Sequence, residues 1–216
     1  AGAKQAQEQG EHYCISHCSS SDEDELNDLG MVLIKNDAVI GSPGCLIGST
    51  AWGFCHQNAF DSFDYLFVDE AGQVAIANLI GMSQTTSNIV LLGDQMQLGQ
   101  PIQGSHPGEV GKSCLEYFLQ DHKTIPKELG VFLGSTYRMH SDVNDFISKA
   151  FYENRLTSAS QCANQFIKFD KHNQEINKST GLIYITVPHN SCTQASQEEA
   201  QKISDLKDYL IGQVFV

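Results

Sequence analysis

The chain has 216 residues and a formal net charge of −13, from 13 Lys+Arg and 26 Asp+Glu. This length suits one good-sized domain, or one domain with part of another. No apolar run approaches the roughly 20 residues that span a bilayer, so we expect no membrane partner. The negative charge disfavours tight binding of phosphate backbones by this chain alone. Its seven cysteines are scattered and odd in number, which favours reduced thiols and a cytoplasmic protein.

The first 44 residues predict an acidic segment that is part of an upstream or inserted region. Residues 1–30 alone contribute one Lys and seven acids, and the chain begins with Ala1 rather than Met, so we expect a processed or excised end. Zinc accepts histidine and cysteine as ligands, and this segment contains two of each, at His12, Cys14, His17 and Cys18. Two interpretations stay open for them: a zinc-dependent binding domain, or incidental thiols in a flexible end.

Five short apolar runs further along the chain predict strands, and the stretches between them predict helices. The strands are predicted at 45–49, 65–68, 89–92, 131–133 and 182–187, and the helices at 74–83, 113–120 and 143–151. Because strands and helices alternate, the pattern predicts a parallel sheet flanked by helices, of the α/β class. The strands are apolar throughout, which is typical of a sheet with both faces covered.

A polar stretch divides these elements into two domains. We predict a first domain at 45–156, a linker at 157–180 and the beginning of a second domain at 181–216. Ser196 and Glu199 have the spacing of a capping box and predict the start of a helix. One face of that helix is apolar and contains Ala200, Ile203, Leu206, Leu210 and Ile211.

Polar side chains follow two of the predicted strands at the point where each strand ends. Asp69 and Glu70 come directly after the strand at 65–68, and an acid and several amides come after the strand at 89–92. In open parallel sheets, ligands bind outside the carboxyl ends of the strands. The sequence therefore predicts a magnesium-nucleotide site at this edge of the sheet.

Three segments in this order resemble motifs II, III and IV of the superfamily 1 helicases: Asp69–Gln73, Gly93–Pro101 and Thr136–His140. The branch that they resemble contains the nonsense-mediated-decay RNA helicase and its DNA helicase-nuclease relatives. Thr50–Trp52 and Ile102–Pro107 look more like bacterial helicases fused to a RecB-like nuclease. The resemblance implies a partial RecA-like P-loop NTPase fold, with ATP and Mg²⁺ as ligands. It also implies single-stranded DNA or RNA as partner, and it leaves open whether a RecB-like nuclease domain is fused to the motor.

The resemblance implies a role for each matched polar residue near the predicted nucleotide site. Asp69 would hold Mg²⁺ through its water shell, and Glu70 would act as the general base. Gln97 would sense the γ-phosphate, with Asp94 beside it, and Gln73 would complete the nucleotide-binding set. The alternative interpretations are a solvated turn for the carboxylate pair and a polar strand-end turn for the amides.

Arg138 matches the motif IV arginine, which in this superfamily reaches the γ-phosphate across the domain cleft. An arginine suits this task because it stays charged and binds phosphate oxygens with two parallel hydrogen bonds. A surface ion pair is the alternative interpretation of Arg138. Tyr137 and His140 are interpreted as packing or turn residues.

Three residues before motif II match a segment that contacts the nucleic-acid backbone in this superfamily. Ser49 and Thr50 carry small hydroxyls, which suit contacts that do not depend on base sequence. Trp52 would stack on a base, or it would simply belong to the core.

The phosphate-binding Walker A loop, Gly-x-x-x-x-Gly-Lys-Ser/Thr, does not precede Asp69 in this sequence. Gly111–Ser113 carries a Gly-Lys-Ser triplet without the earlier glycine, and we interpret it as a helix start. Motifs V and VI are absent as well, so we expect a fragment that hydrolyses ATP barely or not at all by itself. For the parent protein the sequence predicts an ATP-dependent helicase or translocase. The alternative is a hydrolysis-dead helicase-like interaction module.

Overall fold

The computed structural model describes residues 12–16, 23–28, 31–41, 45–99, 104, 107–170 and 173–216. The chain divides into two units, Ala1–Asp121 and His122–Val216. This division falls earlier than the predicted end of the first domain at 156, and the predicted domain boundaries stay predictions. No helix in the described ranges is long and apolar enough to cross a membrane.

The described strands of the first unit all pair in parallel. They are β1 (His12–Ser16), β2 (Met31–Ile34), β3 (Cys45–Gly48), β4 (Leu66–Val68) and β5 (Ile89–Leu91). The first three form one sheet in the order β2-β1-β3, and β4 pairs with β5 in a second sheet. Three of the predicted strands are thereby confirmed. Because Val68 lies opposite Leu91, β4 and β5 end at the same edge.

Short helices follow the strands of the first unit. They are α1 (Glu23–Asp28), α2 (Ala51–Phe54), α3 (Ile76–Met82) and α4 (Cys114–Leu119), with 3-10 helices at Asn36–Ala38, Gln57–Ala59 and Ser83–Thr85. The apolar side chains of α3 recur at Ile76, Leu79 and Met82, and all three are buried, as expected for one face of a helix. The predicted helices at 74–83 and 113–120 are confirmed, and the chain is of the α/β class as predicted.

The two faces of β4 differ in burial. Leu66 and Val68 are buried, whereas Phe67 between them is 59% exposed and its ring lies 6.2 Å from that of Tyr65. Successive side chains of a strand point to opposite faces of the sheet, so one face of β4 is open within the described part of the chain. The expectation that both faces are covered is therefore wrong for this strand.

The second unit contains two small strand pairs and two longer helices. These elements are β6 (Ser135–Thr136), α5 (Ser141–Phe151), β7 (Thr157–Ser158), β8 (Ile167–Lys168), α6 (Gln197–Leu210) and β9 (Val214–Phe215), with a 3-10 helix at Ser160–Asn164. The pairing is parallel between β6 and β7 and antiparallel between β8 and β9. The predicted helix at 143–151 is confirmed. The polar stretch predicted as a linker carries β7, β8 and the 3-10 helix.

Two predicted strands of this unit are wrong. The runs at 131–133 and 182–187 have no regular secondary structure. A β-branched, apolar run fits a strand only where a neighbouring strand supplies hydrogen bonds, and no described strand pairs with either run.

The helix predicted from the Ser196 cap is confirmed as α6. The Ser196 hydroxyl accepts a hydrogen bond from the Glu199 backbone N–H at 3.2 Å. The Glu199 carboxylate lies 3.3 Å from Nε2 of His189. The predicted apolar face of α6 is largely unburied, and Ile203 is 66% exposed.

Candidate nucleotide site

The first candidate element is the turn Asp69–Gln73 after β4, called here the carboxylate turn. Glu70 adopts a left-handed backbone conformation, with φ of 51°. Its N–H donates to Oδ1 of Asp69 at 2.9 Å, and its carbonyl accepts from the N–H of Gln73 at 2.7 Å. Such a conformation costs a non-glycine residue about 1–3 kcal/mol and persists only where the surroundings enforce it. Both carboxylate residues are exposed, so the turn offers two adjacent acids to solvent.

The second candidate element is the segment Gly93–Leu98 after β5, called here the amide turn. Oδ1 of Asp94 accepts a hydrogen bond from the backbone N–H of Met96 at 2.9 Å, which closes the turn locally. Asp94 is half-buried, whereas Gln97 is exposed. The amide turn thus holds the acid close to the protein and leaves the glutamine in solvent.

Backbone hydrogen bonds join the two turns through Leu92, the residue before the amide turn. The Ala71 N–H donates to the carbonyl of Leu92 at 2.8 Å, and the Leu92 N–H donates to the carbonyl of Val68 at 2.9 Å. These bonds continue the β4–β5 ladder past the strand ends and bring the carboxylate turn against the amide turn. The prediction that two polar strand ends meet at one edge is confirmed for their backbones.

The donor set at this edge fits a magnesium ion that is held largely through water. No group of three His, Cys, Asp or Glu side chains in the described ranges could enclose a metal. Mg²⁺ does not need such a cage, since it keeps several waters and binds one or two carboxylates together with substrate phosphates. Oδ1 of Asp69 is engaged by the Glu70 N–H, so its second carboxylate oxygen is the one suited to this task.

Arg138 lies in the second unit, two residues after β6. Its backbone N–H donates to Oγ1 of Thr136 at 3.2 Å, and the residue is exposed. Among the described residues, its guanidinium forms no ion pair and no hydrogen bond that would occupy it. The described structure therefore supplies no partner for the alternative interpretation, a surface ion pair.

The neighbours of Arg138 have local roles. Nδ1 of His140 accepts a hydrogen bond from the Asp142 N–H at 3.1 Å and so caps the start of α5. This confirms the interpretation of His140 as a turn residue. Tyr137 is 68% exposed, so its side chain is not packed into a core within the described part of the chain.

The three candidate nucleic-acid contacts lie around the start of α2. Ser49 follows β3 and is half-buried, and Thr50 is exposed with no side-chain hydrogen bond to the helix that it precedes. Trp52 is 79% exposed. The described part of the chain therefore gives Trp52 no core role, which was the alternative to base stacking.

The Gly-Lys-Ser triplet at 111–113 is a helix start, as predicted. The Ser113 hydroxyl and the Glu116 carboxylate form a capping box at the beginning of α4. Nζ of Lys112 lies 2.5 Å from Oε1 of Glu109, and this hydrogen bond raises the pKa of Lys112. The lysine is thus committed to a local ion pair.

The proposed zinc cluster falls mostly outside the described residues. His17 and Cys18 are not described, and only the backbone is described at His12 and Cys14. Zinc binding at 12–18 stays a prediction.

The sequence did not indicate that Gly72 and Gly93 lie where the backbones of the two turns approach closely. Both lie inside the matched motifs, but no functional role was assigned to either. A glycine directly after an apolar strand is the sequence signal for a close backbone approach, and Gly93 has this position.

Comparison of the sequence with known proteins finds AAA-domain models and helicases among its matches. Two family models, each described as an AAA domain, match residues 20–102 and 110–213. The DNA replication ATP-dependent helicase/nuclease dna2 of Schizosaccharomyces pombe is 31% identical over 103 residues, 48% of this chain and 7% of that protein. From the same organism, the DNA polymerase alpha-associated DNA helicase A is 28% identical over 126 residues, 56% of this chain and 18% of that protein. Helicase sen1 is 28% identical over 103 residues, 47% of this chain and 6% of that protein. The chain thus spans less than a fifth of each of these relatives.

Proposed function

Because this chain belongs to the superfamily 1 helicases, we propose that the protein containing it is an ATP-dependent motor on single-stranded DNA or RNA. The observation that carries this proposal is the contact between the carboxylate turn and the amide turn. It holds two exposed carboxylates and a half-buried aspartate at the ends of two parallel strands. Ligands of open α/β sheets bind at this position.

In this proposal the carboxylate turn performs the chemistry of ATP hydrolysis. Glu70 accepts a proton from the attacking water, a role that contributes about 10²- to 10⁴-fold to rates in general. Asp69 holds waters of the magnesium ion, and Gln73 lines the same turn. Bound Mg²⁺ would supply positive charge that neutralises the phosphates.

The remaining polar residues orient the water and the phosphate. Asp94 fixes the amide turn through its hydrogen bond to Met96, and Gln97 contributes an exposed amide that binds phosphate or water without adding charge. Arg138 supplies the cation for phosphate oxygens. Its guanidinium suits this task because no described residue engages it in a hydrogen bond or ion pair.

Single-stranded nucleic acid is proposed to contact the start of α2. An acidic chain cannot rely on many lysines and arginines for phosphate contacts. Hydroxyls at Ser49 and Thr50 and an aromatic face at Trp52 provide contacts that need no cation. The 79% exposure of Trp52 supports the stacking role.

Strand separation tests this function. The full-length protein that contains this chain is incubated with a labelled partial duplex, of DNA or of RNA, with and without ATP. We expect displacement of the labelled strand with ATP only, and none from the Glu70→Gln variant. A folded protein that separates no strands and uses no ATP would overturn the proposal and favour a hydrolysis-dead interaction module.

A nuclease activity in the same protein is a separate proposal. It is supported by the sequence resemblance and by the helicase/nuclease name of one relative. Degradation of the labelled strand by the Glu70→Gln variant would support it, since that variant leaves a separate nuclease site untouched.

A further inference from the structure

The two turns of the candidate site approach each other at two glycines. At Gly72, an added Cβ atom would lie 2.3 Å from the carbonyl oxygen of Asp94 and 3.0 Å from its carbonyl carbon. Real Cβ atoms essentially never come within 3.0 Å of a heavy atom outside their own residue and its two chain neighbours. The atoms in the way are backbone, which cannot rotate aside as a side chain does. The carboxylate turn therefore reaches its observed position only because residue 72 lacks a side chain.

The approach is reciprocal at Gly93. A Cβ atom there would lie 2.8 Å from the Ala71 nitrogen, 3.2 Å from the Gly72 nitrogen and 3.3 Å from the Glu70 carbonyl carbon. Gly93 also has φ of 150°, which disfavours other residues. Each turn thus places a glycine against the backbone of the other turn. We call this arrangement the two-glycine contact.

The two-glycine contact lies on the peptide that follows Glu70. Gly93 packs against the Glu70 carbonyl carbon and the next two nitrogens, while the Ala71 N–H is bonded to Leu92. These contacts fix the backbone on the carboxyl side of Glu70, where its left-handed conformation would otherwise relax. The backbone of the amide turn is therefore part of what holds the Glu70 backbone in place, from which its carboxylate extends.

We propose that Gly72 and Gly93 are positioning residues for ATP hydrolysis, which set the placement of Glu70 relative to the amide turn. The inference rests on the proposed function, because it assigns Glu70 the role of general base. A misplacement of about 1 Å at a reacting group lowers a rate by as much as 10²-fold. An added methyl group at Gly72 forces the facing backbone to move by a comparable distance, and one at Gly93 forces a smaller shift in a residue whose φ of 150° already disfavours a side chain.

The chain offers two matched controls for an alanine substitution. A Cβ atom at Gly99 would meet no atom of the described residues within 4 Å, although the residue directly follows the amide turn. At Gly81, in α3, a Cβ atom would lie 2.6 Å from Sγ of Cys55, which is a side-chain atom away from both turns. Gly99→Ala controls for the substitution itself, and Gly81→Ala controls for a general loss of stability.

The kinetic test uses the full-length protein with saturating single-stranded nucleic acid. We expect Gly72→Ala and Gly93→Ala to lower kcat for ATP by at least about 10-fold, with KM for ATP changed less than about twofold. Gly99→Ala retains the kcat of the unsubstituted protein, and Gly81→Ala retains it as well, whatever its change in Tm. Equal kcat values in Gly72→Ala and Gly99→Ala would overturn the inference, as would a fall in kcat that simply follows Tm.

Amide hydrogen exchange of the same full-length protein tests the contact without any activity. We expect the Ala71 amide to exchange slowly in the unsubstituted protein and in Gly99→Ala, and faster in Gly93→Ala. An Ala71 amide that exchanges at an unprotected rate in the unsubstituted protein would overturn the contact even if the variants fail to fold. A protein with slow Ala71 exchange but no ATP turnover would contradict the proposed function and, with it, the positioning role, while leaving the two-glycine contact standing.

Discussion

The carboxylate turn of the first unit and the Arg138 segment of the second are held in opposite ways. The carboxylate turn is fixed by main-chain hydrogen bonds and by the two-glycine contact. Arg138 follows a two-residue strand, is exposed, and has no partner for its guanidinium among the described residues. A general base must meet a water in one geometry, so a rigid backbone suits it. An arginine that binds an incoming phosphate must instead leave its donors unoccupied.

The two units also differ in charge. Residues 1–121 carry 3 Lys+Arg against 16 Asp+Glu, whereas residues 122–216 carry 10 of each. The whole net charge of −13 therefore comes from the first unit. A phosphate ligand of an acidic unit needs compensating positive charge, which Mg²⁺ and an arginine supply in the proposed mechanism.

Arg138 offers the largest expected effect. Arg138→Ala in the full-length protein should lower ATP turnover by about 10³-fold or more, the range measured for arginines that stabilise phosphoryl transfer. Its Tm should stay unchanged, since its guanidinium forms no hydrogen bond or ion pair within the described chain. Phosphate release and thermal unfolding measure the two quantities. A large fall in Tm would show that Arg138 stabilises the fold. It would contradict the contrast between the fixed carboxylate turn and an arginine whose donors are unengaged.

Trp52 tests the nucleic-acid role of the first unit. Trp52→Ala should weaken binding of a single-stranded oligonucleotide to the full-length protein roughly 10-fold, because base stacking contributes about 1–3 kcal/mol per base. Fluorescence anisotropy measures the Kd. Phe60 is 65% exposed in the same unit and provides a matched aromatic control. Equal weakening by Phe60→Ala would count against a specific role for Trp52.

Arg155 should behave in the opposite way to Arg138. Its Nη1 donates to Oγ1 of Thr124 at 2.5 Å and to the Ile125 carbonyl at 3.2 Å, and its guanidinium lies 4.5 Å from the centre of the Phe132 ring. Arg155→Ala should lower the free energy of unfolding by about 1–2 kcal/mol. Chemical denaturation measures the change, with Arg138→Ala as control. An unchanged free energy of unfolding would show that these contacts of Arg155 contribute little to stability.

The smallest expected effect concerns Cys114, the first residue of α4. Its side chain is 0% exposed, and burial raises the pKa of the thiol to about 11 from 9.0. Between pH 9 and 11 the unfolded thiol loses its proton before the folded one, so the first unit should lose stability as pH rises through this window. Denaturant titrations from pH 8.5 to 10.5 measure the slope, with Cys114→Ala as control. An identical slope in that variant would assign the effect to other groups.

The first unit was predictable where its signals are local, at three of its five described strands and two of its four described α-helices. Apolar runs ending in polar turns predicted β4 and β5, and the run at 113–120 predicted α4. In the second unit, the runs at 131–133 and 182–187 have strand-like sequences but no described neighbouring strand. Strand propensity is a property of a segment, whereas pairing depends on residues far away in sequence.

The meeting of the two polar turns was predictable from the sequence, whereas the backbone contacts that support it were not. The order of acids and amides after β4 and β5 indicated Asp69, Glu70 and Asp94. The contacts of Gly72 and Gly93 join residues that are about twenty positions apart, and a sequence contains no record of interatomic distance. The left-handed conformation of Glu70 was equally hidden, because glutamate does not favour it.

The rate of ATP hydrolysis in a single turnover tests the central claim, that the carboxylate turn performs the chemistry. It is measured for the full-length protein, Glu70→Gln and Glu109→Gln, with the Kd for ATP measured in parallel. Glu109 is the matched control because it is an exposed acid of the same unit, paired with Lys112. The account predicts a rate about 10²- to 10⁴-fold lower in Glu70→Gln with an unchanged Kd, and a normal rate in Glu109→Gln. A normal hydrolysis rate in Glu70→Gln would contradict the account.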